Sequence, residues 1–258
     1  MTGRRAWLAI GSLATILTLG FSTFLVVNVV AHDEVMAAHR FAADDVDVLD
    51  LRSENGHVEI IGADVDEIEI IAAVDHGLRR TSHDVDLDGR TVVVRDDCPT
   101  GIPVWCRVDY DLLVPRDLPL VVRTDNGSID VRDVDADVRV QSRNGSIDLV
   151  RLRGRVDAST VNGSLRARGL TGDDLVGRAD NGSIRVSFSE SPSYVDVRGR
   201  HGSIDVVVPD EEGVRYRVDG GSAFRGSIDV GVRTDRDSER IIVAETQIGS
   251  VTIRYPAG

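Results

Sequence analysis

Of the 258 residues, 41% are apolar, enough to build a sizeable core and too many for a disordered chain. Forty-three acids against thirty bases, every base an arginine, leave a formal charge of −13. That balance excludes the clustered positive surface needed to bind nucleic acid or anionic lipid headgroups.

The first element is an uncharged apolar run, Trp7 to Ala31, preceded by Arg4 and Arg5 and followed by Asp33 and Glu34. As a helix rising about 1.5 Å per residue it reaches roughly 37 Å, enough to span a bilayer with some tilt. The charge bias places the N-terminus in the cytoplasm and everything after His32 outside. A cleaved secretory signal is the alternative, with Val29 and Ala31 as its small-residue site; the run is longer than a signal h-region, and either option exports the rest. Residues 1–6 are therefore expected as a cytoplasmic tail, 7–31 as a single-pass transmembrane anchor and 32–43 as a linker.

Between Ala43 and Val114, short alternating runs such as "VDVLDLRS", "HVEIIGA", "EIEIIAAV", "TVVVRDD" and "RVDYDLLVP" predict antiparallel strands joined by polar turns. Residues 44–118 are expected as an N-terminal β cap region. "SENGHVEI", Ser53 to Ile60, reads as an early, divergent copy of the Asn-Gly-Ser corner that recurs from Asn126 onward. Cys98 and Cys106, the only cysteines, have seven residues between them in "CPTGIPVWC". In an exported chain they predict a structural disulfide, whose short loop contributes about 2–3 kcal/mol. Two cysteines without a nearby histidine make no zinc site, and the spacing is not that of a Cys-x-x-Cys redox pair.

Residues 119–255 form a repeat array. "TDNGSIDV", "SRNGSIDL" and "TVNGSLRA" open a series anchored at Gly127, Gly145, Gly163, Gly182, Gly202, Gly226 and Gly249, with spacings of 18, 18, 19, 20, 24 and 23. Ile129, Ile147, Leu165, Ile184, Ile204, Ile228 and Val251 come after the anchors at a constant offset. Leu120, Val138, Val156 and Leu175 precede them, and small Thr124, Ser142, Thr160 and Ala179 come closer in. Both flanks alternate with period two, which is the pattern of strands with one face buried. Units this short cannot hold a helix as well, so the chain is all-β. In-register stacking of equivalent residues favours a β-solenoid or β-roll over the alternative, an antiparallel β-sandwich built from hairpins.

The repeated Asn-Gly-Ser could in principle be a glycan acceptor, an ion loop or a corner. Asn126, Asn144, Asn162 and Asn181 give way to His201, Arg225 and Ile248 in later copies while the glycine stays, so the position is expected to serve a turn. Asn tolerates left-handed backbone angles and Gly adopts them freely, which is the expected reason for the pair. Calcium loops of the β-roll type are not expected: the Asp130 position becomes Asp148, then Arg166, Arg185, Asp205, Asp229 and Thr252. The acidic stretch Asp44–Asp50 reads as a solvated charged edge.

An enzyme acting on polysaccharide would need two carboxylates close together, and Asp130 and Asp148 could stack on adjacent coils roughly 4.8 Å apart. No nucleophile elbow, zinc-protease helix or phosphate loop accompanies them. The histidines, among them His57, His76, His83 and His201, lack ligand spacing. Aromatics make up only 4% of the chain, and Trp105 alone stands out as an exposed candidate. No catalytic residue, metal or cofactor is therefore expected.

An N-terminal anchor, the strand "VDYDLLVP" at Val108 to Pro115 and the repeated T-x-N-G-S-I corners together resemble a bacterial β-strand-repeat family labelled "putative adhesin". The resemblance covers about Val46 to Tyr255. It implies a fold similar to the β-solenoid head domains of surface adhesins, and some relatives are implicated in cell-envelope stress signalling; it supplies no catalytic residues. The expectation is a non-catalytic, membrane-anchored, extracytoplasmic protein whose outer positions Arg123, Asp130, Arg139, Asp148 and Arg166 form one contact surface for an envelope polymer or protein partner. Stress sensing through a membrane partner and polysaccharide cleavage are the alternatives.

Overall fold

A computed structural model describes residues 33–76, 81–98 and 106–256. The expected tail and transmembrane anchor, and Trp105, lie outside the described residues. Among the described residues, regular structure is all β apart from one 3-10 turn at Ala43–Asp45. Strands β1 (Asp33–Ala42), β2 (Val48–Asn55), β3 (Val58–Ala63), β4 (Glu67–His76), β5 (Ser82–Asp88), β6 (Thr91–Asp97) and β7 (Cys106–Pro115) precede the repeats. The repeats then contribute strand pairs: β8 (Leu120–Asn126) and β9 (Ile129–Arg132), β10 (Val138–Asn144) and β11 (Ile147–Val150), β12 (Val156–Asn162) and β13 (Leu165–Leu170). The series continues with β14 (Asp174–Asn181) and β15 (Ile184–Phe188), β16 (Tyr194–His201) and β17 (Ile204–Val207), β18 (Arg217–Arg225) and β19 (Ile228–Val230), and β20 (Ile241–Ile248) and β21 (Val251–Arg254).

The strands make two large sheets, one of eleven strands in the order β1-β4-β7-β3-β9-β11-β13-β15-β17-β21-β19 and one of ten in the order β18-β20-β16-β14-β12-β10-β8-β2-β6-β5. Each repeat gives its first strand to the ten-stranded sheet and its second to the eleven-stranded one. Asn-Gly-Ser therefore carries the chain from one sheet to the other and is not a hairpin turn. Throughout the array the pairing is parallel and in register, Asn126 opposite Asn144, Asn144 opposite Asn162 and Asn162 opposite Asn181. Alternation buries one side of each strand: Leu120, Val138, Val156 and Leu175 face Ile129, Ile147, Leu165 and Ile184 across the core, all essentially inaccessible. Each such side chain contributes about 1.5–3 kcal/mol by area burial, an upper bound against an extended chain.

Four differences from the sequence reading have physical causes. Residues 33–42, expected within a linker, form β1, which pairs antiparallel with β4. The region before the array is only partly antiparallel: β2 and β3 stack parallel on β8 and β9, with Asn55 opposite Asn126, so "SENGH" is a full coil. β6 and β7 stack parallel on β2 and β3 as another, and β1, β4 and β5 alone add antiparallel strands. Coil order also departs from chain order at both ends. β6/β7 lies outside β2/β3, and β20/β21 is inserted between β16/β17 and β18/β19. The long connections around Asp210 and Asp235 supply the slack for that exchange.

The fourth difference concerns the corner. Among the described residues, the non-glycine residues with positive φ are Asp133 and Arg151, and both lie on the return bend. The corner asparagines end extended strands. Glycine is required because a Cβ on Gly127 would stand 1.6 Å from the Gly56 carbonyl oxygen, and one on Gly145 1.8 Å from that of Gly127. The same clash recurs at Gly163, Gly182, Gly202, Gly249 and Gly226, each against the glycine carbonyl of the adjoining coil, and Gly202, Gly226 and Gly249 also hold the positive φ expected of glycine, 143°, 150° and 144°.

Candidate functional site

The corner builds two internal ladders. Asn126 Nδ2 donates to Asn55 Oδ1 (2.8 Å), Asn144 to Asn126 (2.9 Å), Asn162 to Asn144 (2.8 Å) and Asn181 to Asn162 (2.9 Å). Each Asn-Gly amide also points along the stack, Gly127 N–H to the Asn144 carbonyl (3.0 Å) and Gly145 N–H to that of Asn162 (3.0 Å). The small residues two positions upstream bond the glycine carbonyls, Ser142 Oγ to Gly127 (3.0 Å) and Thr160 Oγ1 to Gly145 (2.8 Å). The asparagines are thus consumed by stacking.

Cys98 is disulfide-bonded to Cys106, with Cα atoms 5.7 Å apart. Arg95 pairs with Arg52, so Cys98 reaches the ladder at the level of Asn55, whose Nδ2 lies 3.1 Å from the Cys98 sulfur. The disulfide stands at the β6/β7 coil where a glycine corner closes the others.

Outside the core, in-register pairing arranges side chains in rows about 4.8 Å apart. On the eleven-stranded sheet one row reads Asp111, Glu59, Asp130, Asp148, Arg166, Arg185. Beside it Arg132 Nη2 meets Glu59 Oε1 at 2.7 Å and Arg168 Nη2 meets Asp148 Oδ1 at 2.9 Å. A groove of about 560 Å³ runs here, lined by Asp130, Arg132, Asp148, Arg151, Arg168 and Gly169. At its edge His57 bridges coils, Nδ1 2.8 Å from Ser128 Oγ and Nε2 3.4 Å from Asp130 Oδ2. Burial pushes the Asp130 carboxyl above its usual range; His57 and Arg132 draw it back, and the neighbouring Asp148 and Glu59 charges push with burial. Across the return bend Arg151 forks onto Asp133 at 2.6 and 2.7 Å and holds that carboxyl below its usual range.

The predicted contact residues divide. Asp130, Asp148 and Arg166 share this row, whereas Arg123 and Arg139 are on the ten-stranded sheet, on another face of the molecule. There Arg123 Nη1 lies 3.4 Å from Asp50 and Arg139 Nε 3.3 Å from Asp157. Among the described residues no group of three metal-ligating side chains converges, and no helix is long and apolar enough to cross a membrane.

At the end formed by β1 and β5 lies a half-buried polar cluster that no motif announces. Fully buried Tyr110 places its hydroxyl 3.1 Å from His83 Nδ1, and the His83 ring meets that of His39 edge-on at 5.5 Å. Burial, then the His39 charge, lowers the His83 pKa; burial raises those of Tyr110 and of Asp96, whose Oδ1 accepts the Glu54 N–H at 2.7 Å. Only the strand register could have brought these residues together.

No protein-family model and no curated protein matches the chain. Solved structures similar to it include a "putative adhesin" from Bacteroides fragilis, 15% identical with a TM-score of 0.43, covering 86% of this chain and 97% of that one. A "putative cell adhesion protein" from Clostridium sporogenes is 8% identical with a TM-score of 0.36, covering 87% and 100%. A "putative adhesin" from Parabacteroides merdae is 10% identical with a TM-score of 0.33, covering 86% and 96%. Likeness this distant carries no argument about function.

Proposed function

We propose that this chain is a β-solenoid surface-interaction protein, held at a membrane by its N-terminal run and displayed outside the cell, where it binds an extended envelope polymer or protein. The observation that carries this is the row structure of the eleven-stranded sheet: charged side chains of both signs recur at the strand spacing along a groove. A ladder of this kind suits a ligand that is itself extended and repetitive, with many weak contacts adding along its length. The disulfide supports display in an oxidising compartment. The full chain in mild detergent, incubated with envelope fractions, should retain material that a Glu59→Arg, Asp148→Arg double variant releases. Equal retention by both proteins would remove the groove from the interaction.

One observation favours a second reading, cleavage of a polysaccharide: Asp130 and Asp148 are register partners in the groove, one carboxyl with a raised pKa and the other paired with Arg168. Glycoside cleavage uses two neighbouring carboxyls in unlike surroundings, and these two differ in burial and in ion pairing. Release of reducing ends from envelope polysaccharide, abolished by Asp148→Asn, would favour it; no release by the wild type would dismiss it.

A further inference from the structure

The two ends of the stack are built differently. At the β1/β5 end the sheets converge, His39 against His83, with Phe41 and Val85 packed on the core. At the other end β18 and β19 are the last strands of their sheets; among the described residues the segment 233–235 bonds Tyr216 at the start of the β18 edge, and nothing pairs with the outer edges beyond it. The core is thinned there: Gly220 and Ser222 of β18 stand opposite Ala244 and Thr246 of β20. On β19, Ile228 is 45% exposed and Val230 37%, at positions that are sealed in every inner coil. Tyr216, Val218 and Val232 line the same hollow, a cavity of about 780 Å³. Two strand edges open over most of their length, flanking a hollow with an apolar floor and a charged rim, are a template for further strands.

From this end we infer that the chain pairs with a second copy of itself, end to end about a two-fold axis. A two-fold perpendicular to the stack sets each outer strand antiparallel to an outer strand of the copy. It satisfies both rows of peptide groups and closes both hollows over each other. Charge selects the copy as occupant. The chain carries −13 overall, so most of its surface repels its like, but the rim of the hollow is balanced, with Arg217 and Arg236 against Asp219 and Asp235. At the opposite end β1 and β5 are also edge strands, but the core is sealed there, with His39 against His83, and β5 carries Asp84, Asp86 and Asp88; head-to-tail stacking into filaments finds no second open hollow. Assembly therefore stops at two.

The pairing deepens the proposed surface role and, for its biological meaning, rests on it. β1 lies at the far end of the stack, so the two copies of β1 stand at opposite ends of the pair. Nine coils at about 4.8 Å give each molecule roughly 40 Å of reach, and the partner for such a contact is the same protein on a facing surface.

The test is the mass of the full chain in mild detergent by sedimentation, with bound detergent subtracted, over a concentration series. The expected result is a monomer–dimer equilibrium between 28.0 kDa and twice that mass. Ile228→Asp with Val230→Asp should weaken it about 100-fold or more, with an unchanged circular dichroism spectrum and an intact Cys98–Cys106 bond. A monomer at every concentration, an open series of larger species, or a double variant that dimerises as well as wild type would overturn the inference. Phosphatidylcholine vesicles carrying the full chain separate the two levels. Monomeric protein that still retains envelope material keeps the surface role and loses the dimer; dimers that neither retain envelope material nor bridge vesicles keep the dimer and lose the surface role.

Discussion

Replacing Gly145 by alanine tests why the corner repeats. The added Cβ would lie 1.8 Å from the Gly127 carbonyl oxygen and 2.4 Å from its carbon, with no flexible side chain to yield. Ordinary contact needs about 3.4 Å, so adjacent coils must separate by well over an ångström at a place where their spacing is fixed by hydrogen bonds. The bonds at risk are Gly127 N–H to Asn144 O (3.0 Å), Ile129 N–H to Ser146 O (3.1 Å) and Ser142 Oγ to Gly127 O (3.0 Å). At about 1 kcal/mol each, with further loss from disturbed packing, the cost is about 3–5 kcal/mol, a large part of a stability of roughly 5–15 kcal/mol. Gly213 is the control: its φ is +82° and a Cβ there meets nothing within 4 Å, so alanine costs only the left-handed backbone penalty of about 1–2 kcal/mol. Urea unfolding followed by circular dichroism should place Gly145→Ala far below Gly213→Ala in midpoint. If Gly145→Ala proves the milder of the two, close approach is not what selects glycine and backbone conformation regains the explanation.

Four further outcomes are expected. Asn144→Ala removes a donor and an acceptor from the ladder and should cost about 1–2 kcal/mol in urea unfolding; in aged folded protein the Asn-Gly pairs should resist deamidation, since each glycine nitrogen is engaged, and mass spectrometry of folded against urea-unfolded samples checks this. Reducing Cys98–Cys106 should lower stability by about 2–3 kcal/mol and speed hydrogen exchange in β6 and β7 before the distal coils. His83 has a folded pKa below its unfolded value, so the unfolded state binds the extra proton: stability should fall as pH drops from about 7 through the unfolded pKa near 6.5, and level off below the folded pKa. His83→Gln should flatten that slope, and an unchanged slope would acquit this histidine. Asp96, with its pKa raised by burial, acts in the opposite sense, its protonation favouring the folded state.

Particular residues show how far the sequence was legible. The inward rows from Leu120 and Ile129 onward were readable because alternation and a constant offset from each glycine are one-dimensional signals. So were the all-β class and the pairing of Cys98 with Cys106. The charged row was readable only in part: Asp130, Asp148 and Arg166 fall together, while Arg123 and Arg139 belong to another face. Outward parity says that a side chain leaves the core, not which sheet it leaves from.

Sequence by itself determined what depends on near neighbours and on the repeat: strand parity, corner positions, the core and the total charge. Tertiary structure decided what depends on which coil lies against which. It placed β20/β21 inside β18/β19, set Asn55 beneath Asn126, brought His83 to Tyr110 and left Ile228 uncovered at one end. Those contacts join residues tens of positions apart through hydrogen bonds whose donors and acceptors every residue carries alike. Only the packed arrangement can choose among them.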